Sequence, residues 1–180
     1  GPSVGRHAHT ELVSIKGKDY PVDTGFVVFN PSRYPLLTKL FHQLGVKSIE
    51  TEMSQSVSLD DGEFEYNNNI PDGLFADRKN ILSISFLTFL LEIRRFNSVA
   101  ARALKEGVKE GVTLNDFLSA NSFSEDVKTK YLFPMVGAIW STPRSLAKNF
   151  SAVTLLQFLD NHHLLSASGH FKWRTVAGGS

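Results

Sequence analysis

Polar and apolar positions alternate from Glu11 to Phe29, where Val13 and Ile15 stand between polar neighbours. A period of two reads as strand, with Lys16-Gly17-Lys18-Asp19 as a turn and Tyr20 to Phe29 as the return arm of a hairpin. The period then changes. Leu36, Leu37, Leu40, Phe41 and Leu44 fall on one helical face, with Asn30-Pro31 as the expected start and Gly45 as the stop. From Ser48 to Leu59 the alternation returns, placing Met53, Gln55, Val57 and Leu59 on one face and Ser54, Ser56 and Ser58 on the other. That hydroxyl face is either a solvated sheet surface or the lining of a cavity. Asp60-Asp61-Gly62 then turns the chain into Glu63 to Tyr66.

Beyond a loop at Asn67 to Asp72 the spacing predicts helices. Phe86, Phe89, Leu90, Ile93 and Phe96 mark one, and a further helix is expected from about Ser98 to Lys109. Thr113 with Asp116, and Ser124 before Glu125-Asp126, are helix starts with acids at the positive end. Pro134 is expected to kink or end the helix through Tyr131. Ser151 opens a last helix, with Val153, Leu156, Leu159 and Phe158 facing inward. The expected class is α+β: a strand-rich first third and a mainly helical remainder. Residues 1–6 read as a cleaved-tag scar or partial linker, and 7–180 as one domain.

Composition excludes several classes. Nineteen Lys plus Arg against eighteen Asp plus Glu leave a formal charge of +1, so there is no bulk attraction for nucleic acid and no polybasic run for a membrane surface. The longest apolar stretch, Ile81 to Ile93, is broken by Ser83, Ser85, Thr88 and Glu92, too short and polar for a transmembrane segment. Cysteine is absent, which removes disulfides and thiolate chemistry and suits a cytoplasmic setting. Fourteen Phe imply a large aromatic core.

Little catalytic pattern stands out. His7-Ala8-His9-Thr10 offers two imidazoles on one strand face but no third ligand, so no metal site is expected. Asp160-Asn161-His162-His163 is either a proton-moving pair or an inert helix end capped by His. Arg94-Arg95 reads as a solvated face. Gly25, after Asp23 and Thr24, marks where backbone approaches something closely, whether a ligand or the chain's own core. Gly178-Gly179 permits the same near the C-terminal end, and Ile139-Trp140-Ser141-Thr142-Pro143 reads as core or as the wall of a substrate cavity.

Taken together, His7 to Thr10, Val22 to Asn30 (V-D-T-G-F-V-V-F-N) and Trp173 to Ser180 (W-R-T-V-A-G-G-S) resemble the flavin-containing amine oxidoreductase family. That family includes monoamine oxidase, protoporphyrinogen oxidase, phytoene desaturase and bacterial NAD/FAD-binding proteins. The resemblance runs over nearly the whole chain, but the family's G-x-G-x-x-G unit is missing and Gly5-Arg6 stands where two glycines are expected. It implies the insertion or substrate-side region of an FAD-dependent oxidoreductase, inactive and weakly flavin-binding by itself. Thr10, Asp23, Thr24, Gly25, Gly178 and Gly179 carry over as cofactor contacts, and Ser56, Trp140 and Trp173 stand as substrate-cavity candidates. No catalytic base is assigned. The implied substrate is a small molecule or a lipid acyl chain, since similar sequence occurs fused ahead of cyclopropane fatty acid synthases. The implied partner is the dinucleotide-binding portion of the same polypeptide, with self-association through the apolar boundary left open. The alternatives are a non-catalytic α+β module that binds a ligand or partner, and a purely structural helical scaffold.

Overall fold

In the computed structural model, residues 8–68, 72–165 and 172–179 are described. In chain order the elements are β1 (Thr10–Ile15), β2 (Lys18–Asp23), α1 (Pro35–Gln43), β3 (Ser48–Thr51), β4 (Ser56–Leu59) and β5 (Phe64–Asn67). Then come α2 (Ile84–Glu106), α3 (Leu114–Ala120), α4 (Glu125–Val127), α5 (Phe133–Trp140), α6 (Arg144–Ala147), α7 (Ala152–Asn161) and β6 (Trp173–Val176). The protein is α+β, with strands gathered mostly in the N-terminal part and helices after them. The chain divides into two compact units, the first made of 8–53 with 172–179 and the second of 54–68 with 72–165.

In the first unit β1 and β2 form an antiparallel hairpin running from Thr10↔Asp23 to Ile15↔Lys18. Its turn is tighter than expected. Lys16 and Gly17 alone occupy it, both at positive φ (51° and 76°), the pattern of a two-residue type I′ turn. The return strand stops at Asp23, and Phe29 instead pairs with Arg174 through two 2.9 Å main-chain bonds. β6 therefore lies between that segment and β3, its antiparallel partner.

Asn30 and Pro31 do not start α1. The Asn30 side-chain oxygen accepts from Ser32 N (2.9 Å) and Ser32 Oγ (2.7 Å), and its carbonyl accepts from Arg33 and Tyr34. These bonds close a turn over residues 31–33, so Pro35 takes the first helical turn in place of Pro31. Gly45, at φ 69°, ends α1 as expected: its N–H reaches His42 O and Val46 N–H reaches Phe41 O, a Schellman arrangement. No residue of α1 is buried.

The second unit holds the hydrophobic core. β4 and β5 pair in a hairpin that buries Val57 and Tyr66 and leaves Ser56 and Ser58 exposed. α2 is one helix of 23 residues, not the two expected. Ser83 caps its start, and Phe86, Phe89, Phe96 and Ala100 form its buried stripe. Nothing between Phe96 and Ser98 breaks the turn, so the two apolar patterns are one face read twice. Thr113, Ser124 and Ser151 cap α3, α4 and α7 as expected. Arg95 is not simply solvated. It donates to the carbonyls of Asn121 (3.0 Å) and Ser122 (2.9 Å) just beyond α3 and lies 3.9 Å over the Phe123 ring.

Pro134 behaves unexpectedly, and for a physical reason. The chain stays helical from Glu125 to Trp140, but Lys128–Leu132 widens into a π-helical turn. Phe133 N–H reaches back to Lys128 O, which frees the Thr129 carbonyl, and Pro134 has no N–H to offer Lys130 O. Both orphaned acceptors find donors. Tyr66 Oη donates to Lys130 O at 3.0 Å, and Arg144 Nη2 approaches Thr129 O at 3.4 Å.

Candidate functional site

The hairpin register sets the first half of a candidate site in the first unit. Pairing Thr10 with Asp23 brings the Thr10 hydroxyl within 2.6 Å of Asp23 Oδ1, to which it donates. One residue on, Thr24 N–H donates to His9 O at 2.8 Å, extending the ladder past the last strand pair. The Thr24 hydroxyl also meets His9 Nδ1 at 2.8 Å and His9 O at 3.2 Å. His9 and Glu11 approach to 3.5 Å, but both are well exposed, so this pair adds little.

The second half comes from the far end of the sequence. Ala177 N–H bonds to Lys47 O at 2.9 Å, tying the exit of β6 beside β3. Gly178 and Gly179 then turn at φ 86° and 106°. A Cβ on Gly179 would sit 2.5 Å from both Oγ1 and Cγ2 of Thr10, so only glycine fits against that side chain. Around Gly178 nothing lies within 4 Å of the same position. Thus residues 9–10, 23–25 and 178–179, remote in sequence, form one corner. Gly25 and Gly178 are exposed there, whereas Thr10, Asp23 and Gly179 are half-buried.

The remaining candidates lie elsewhere. Trp173 opens β6 opposite Thr51 and is half-buried, outside the corner. Ser56 lines an open groove of about 280 Å³ in the second unit, between β4 and α5. Ser56 and Ser58 are exposed and border this open groove. Trp140 does not border that groove; its ring packs against Phe150 (4.6 Å) and Phe158 (4.9 Å). The Ser-Thr-Pro turn after it does contribute, through Thr142. His162 caps α7 and stacks on Phe158 at 4.1 Å, with Nδ1 at 2.9 Å from the Phe158 carbonyl. These contacts are those of the helix-end role.

Sequence reasoning passed over Phe133, Gly137 and Arg144, which also line the groove. The available signal was Pro134 inside a helical stretch, a reason to expect displaced carbonyls nearby. A larger hollow, about 430 Å³, lies between the end of α2 and α3, but it sets Arg102 and Lys109 beside Glu106 and Asp116, so its charges offset. Burial pushes the Tyr66 hydroxyl well above the ordinary tyrosine range, with Tyr131 adding repulsion, and desolvation raises Tyr131 to about 12. Among the described residues no group of three or more His, Asp or Glu converges as a metal site, and no helix is long and apolar enough to cross a membrane. Comparison with family models and with curated proteins yielded no match to this chain.

Proposed function

We propose that this chain is the substrate-side region of an FAD-dependent oxidoreductase of the flavin-containing amine oxidoreductase type. The observation that carries the reading is the corner itself: the three stretches on which the resemblance rests converge there. Gly25 and Gly178 leave main chain open to a flat ring system, while Thr10, Asp23, Thr24 and Gly179 hold the two bends together. The side-chain oxygens of Asp23 and Thr24 are engaged with Thr10 and His9, so in this reading they shape the bend and the glycine backbones make the contact. When bound, the flavin accepts a hydride from a C–N or C–C bond of a small molecule or lipid acyl chain. A cytoplasmic setting remains part of the proposal.

The same reading explains an exposed surface. Leu36, Leu40 and Leu44 recur along α1 at 82%, 46% and 67% exposure, a continuous apolar stripe that a partner would cover. In the flavoprotein reading that partner is the dinucleotide-binding polypeptide, or failing that a second copy. The stripe lies apart from Phe29, which is buried, and from β6, which is half-buried. It also suits the alternative, a non-catalytic partner-binding module, and flavin content separates the two.

The test is to express this chain with and without flanking polypeptide that carries a G-x-G-x-x-G strand-turn-helix, then dialyse and measure flavin absorbance. The extended protein is expected to retain FAD near one per chain and the shorter one to lose it. An extended protein that stays colourless overturns the reading. Stoichiometric flavin on the short chain overturns its dependence on the flanking unit.

A further inference from the structure

The groove beside β4 carries an inference that does not depend on the flavin reading. Its floor is apolar, formed chiefly by Val57, Leu59, Phe133 and Pro134. Its polar edge holds Gln55, Ser56, Ser58, Thr142 and Arg144, and no acid among the described residues lines it. On the hairpin, the Glu65 carboxylate already accepts from Ser58 at 2.7 Å. Arg144 spends one long bond, 3.4 Å, on the Thr129 carbonyl that the π-helical turn displaced. Its other donors, and the Ser56 hydroxyl, are exposed and have no partner among the described residues. A guanidinium fork with spare N–H groups beside apolar surface is the donor set that recognises a planar oxyanion.

The turn that carries Thr142 is built to stay close. Ser141 ends α5 in the left-handed region at φ 51°, and a Cβ on Gly137 would already lie 3.2 Å from Thr142 O. Glycine at 137 therefore lets the Ser141–Pro143 turn fold back onto α5 and bring Arg144 to the groove. The same Pro134 that forces the π-helical turn thus shapes the floor and positions the cation.

We propose that this groove binds the carboxylate end of an apolar molecule, with Arg144 pairing the carboxylate, Ser56 donating to it, and the first carbons lying on Phe133 and Val57. A single cation matches a monoanion; a phosphate monoester would bring a second charge with no counterpart. The volume, about 280 Å³, is just under the ~300–1,000 Å³ of sites for drug-sized ligands, so the groove holds the head and adjoining carbons and not a long chain.

Octanoate, octanol and octyl phosphate are the probes, titrated separately into the isotope-labelled chain and followed by amide chemical shifts. Octanoate is expected to give saturable shifts confined to residues 56–59 and 133–144, binding about tenfold tighter than octanol. Arg144→Gln should remove that tenfold margin while leaving octanol binding unchanged, and Arg144→Lys should restore part of it. Retained octanol binding shows that the groove of the variant is still folded. Equal binding of octanoate and octanol, tighter binding of octyl phosphate, an Arg144→Gln variant with unchanged octanoate affinity, or shifts scattered over other surfaces would each overturn the proposal.

Discussion

The two units are stabilised differently. In the second, Phe96, Leu114, Leu118, Val136, Leu155 and Leu156 are fully buried in one continuous cluster. In the first, Phe29 is the one buried hydrophobic side chain among the described residues, and most of their exposed large apolar side chains lie there. Every residue of the hairpin from Glu11 to Val22 is exposed. The first unit is ordered by main-chain ladders, caps and one aromatic cluster, Phe26, Phe29 and Phe41, with Phe29 and Phe41 edge to face at 5.2 Å. An isolated two-stranded hairpin is marginal in water, so local hydrogen bonding sets its shape while burial contributes little. The contrast teaches that good local signals and a hydrophobic core are separate requirements, and this chain meets both only in its second unit.

The sharpest way to break the contrast is to delete apolar bulk on each side of it. Phe96→Ala is expected to cost about 3–5 kcal/mol in urea denaturation, because its ring is fully buried and packs on Phe123 at 5.8 Å. Leu36→Ala, at 82% exposure, should change stability by less than about 0.5 kcal/mol. Comparable losses in the two variants would show that α1 is buried in solution and that the contrast is false.

A smaller effect sharpens the account of the corner. Gly179→Ala combines a positive φ with a direct clash against Thr10, and about 2–3 kcal/mol of local destabilisation is expected. Gly178→Ala meets no atom within 4 Å and should cost about 1 kcal/mol, from its φ alone. Amide exchange at residues 9, 24 and 177 reads the difference; faster exchange in the second variant than in the first would contradict the packing of Gly179 on Thr10.

The smallest effect concerns the second unit's polar wiring. Tyr66→Phe leaves Lys130 O without its donor and should cost about 1 kcal/mol near neutral pH. Both raised phenols favour the neutral form in the folded chain, whereas unfolded tyrosine ionises near 10. Their contribution is therefore fully present below pH 10 and is lost as pH rises above it, for Tyr131 through about 12 and for Tyr66 at still higher pH. The expected slope is up to about 1.4 kcal/mol per pH unit for each phenol. In Tyr66→Phe this alkaline slope should fall by about half; an unchanged slope would mean that Tyr66 is solvated.

Much of the local structure was legible. The caps at Thr113, Ser124 and Ser151, the stop at Gly45 and the hairpin turn at Gly17 were readable because each rests on bonds within a few residues. Asn30 failed as a cap because its side chain had a nearer acceptor role, toward Ser32, and Pro35 offered a better start than Pro31. Pro134 was recognised as a disturbance, but whether it breaks a helix or widens one depends on donors far along the chain, Tyr66 and Arg144. Arg144 itself carried no sequence signal.

What the sequence determined by itself is the series of turns, caps and periodic faces, and with them the α+β class, because those depend on φ preferences and short-range hydrogen bonds. Only the tertiary structure decided that Thr10, Asp23 and Gly179 share a corner, that the leucines of α1 stay exposed, and that Arg144 stands over an apolar groove. Each of those depends on which distant segment supplies the neighbouring atoms, and residue spacing does not encode that.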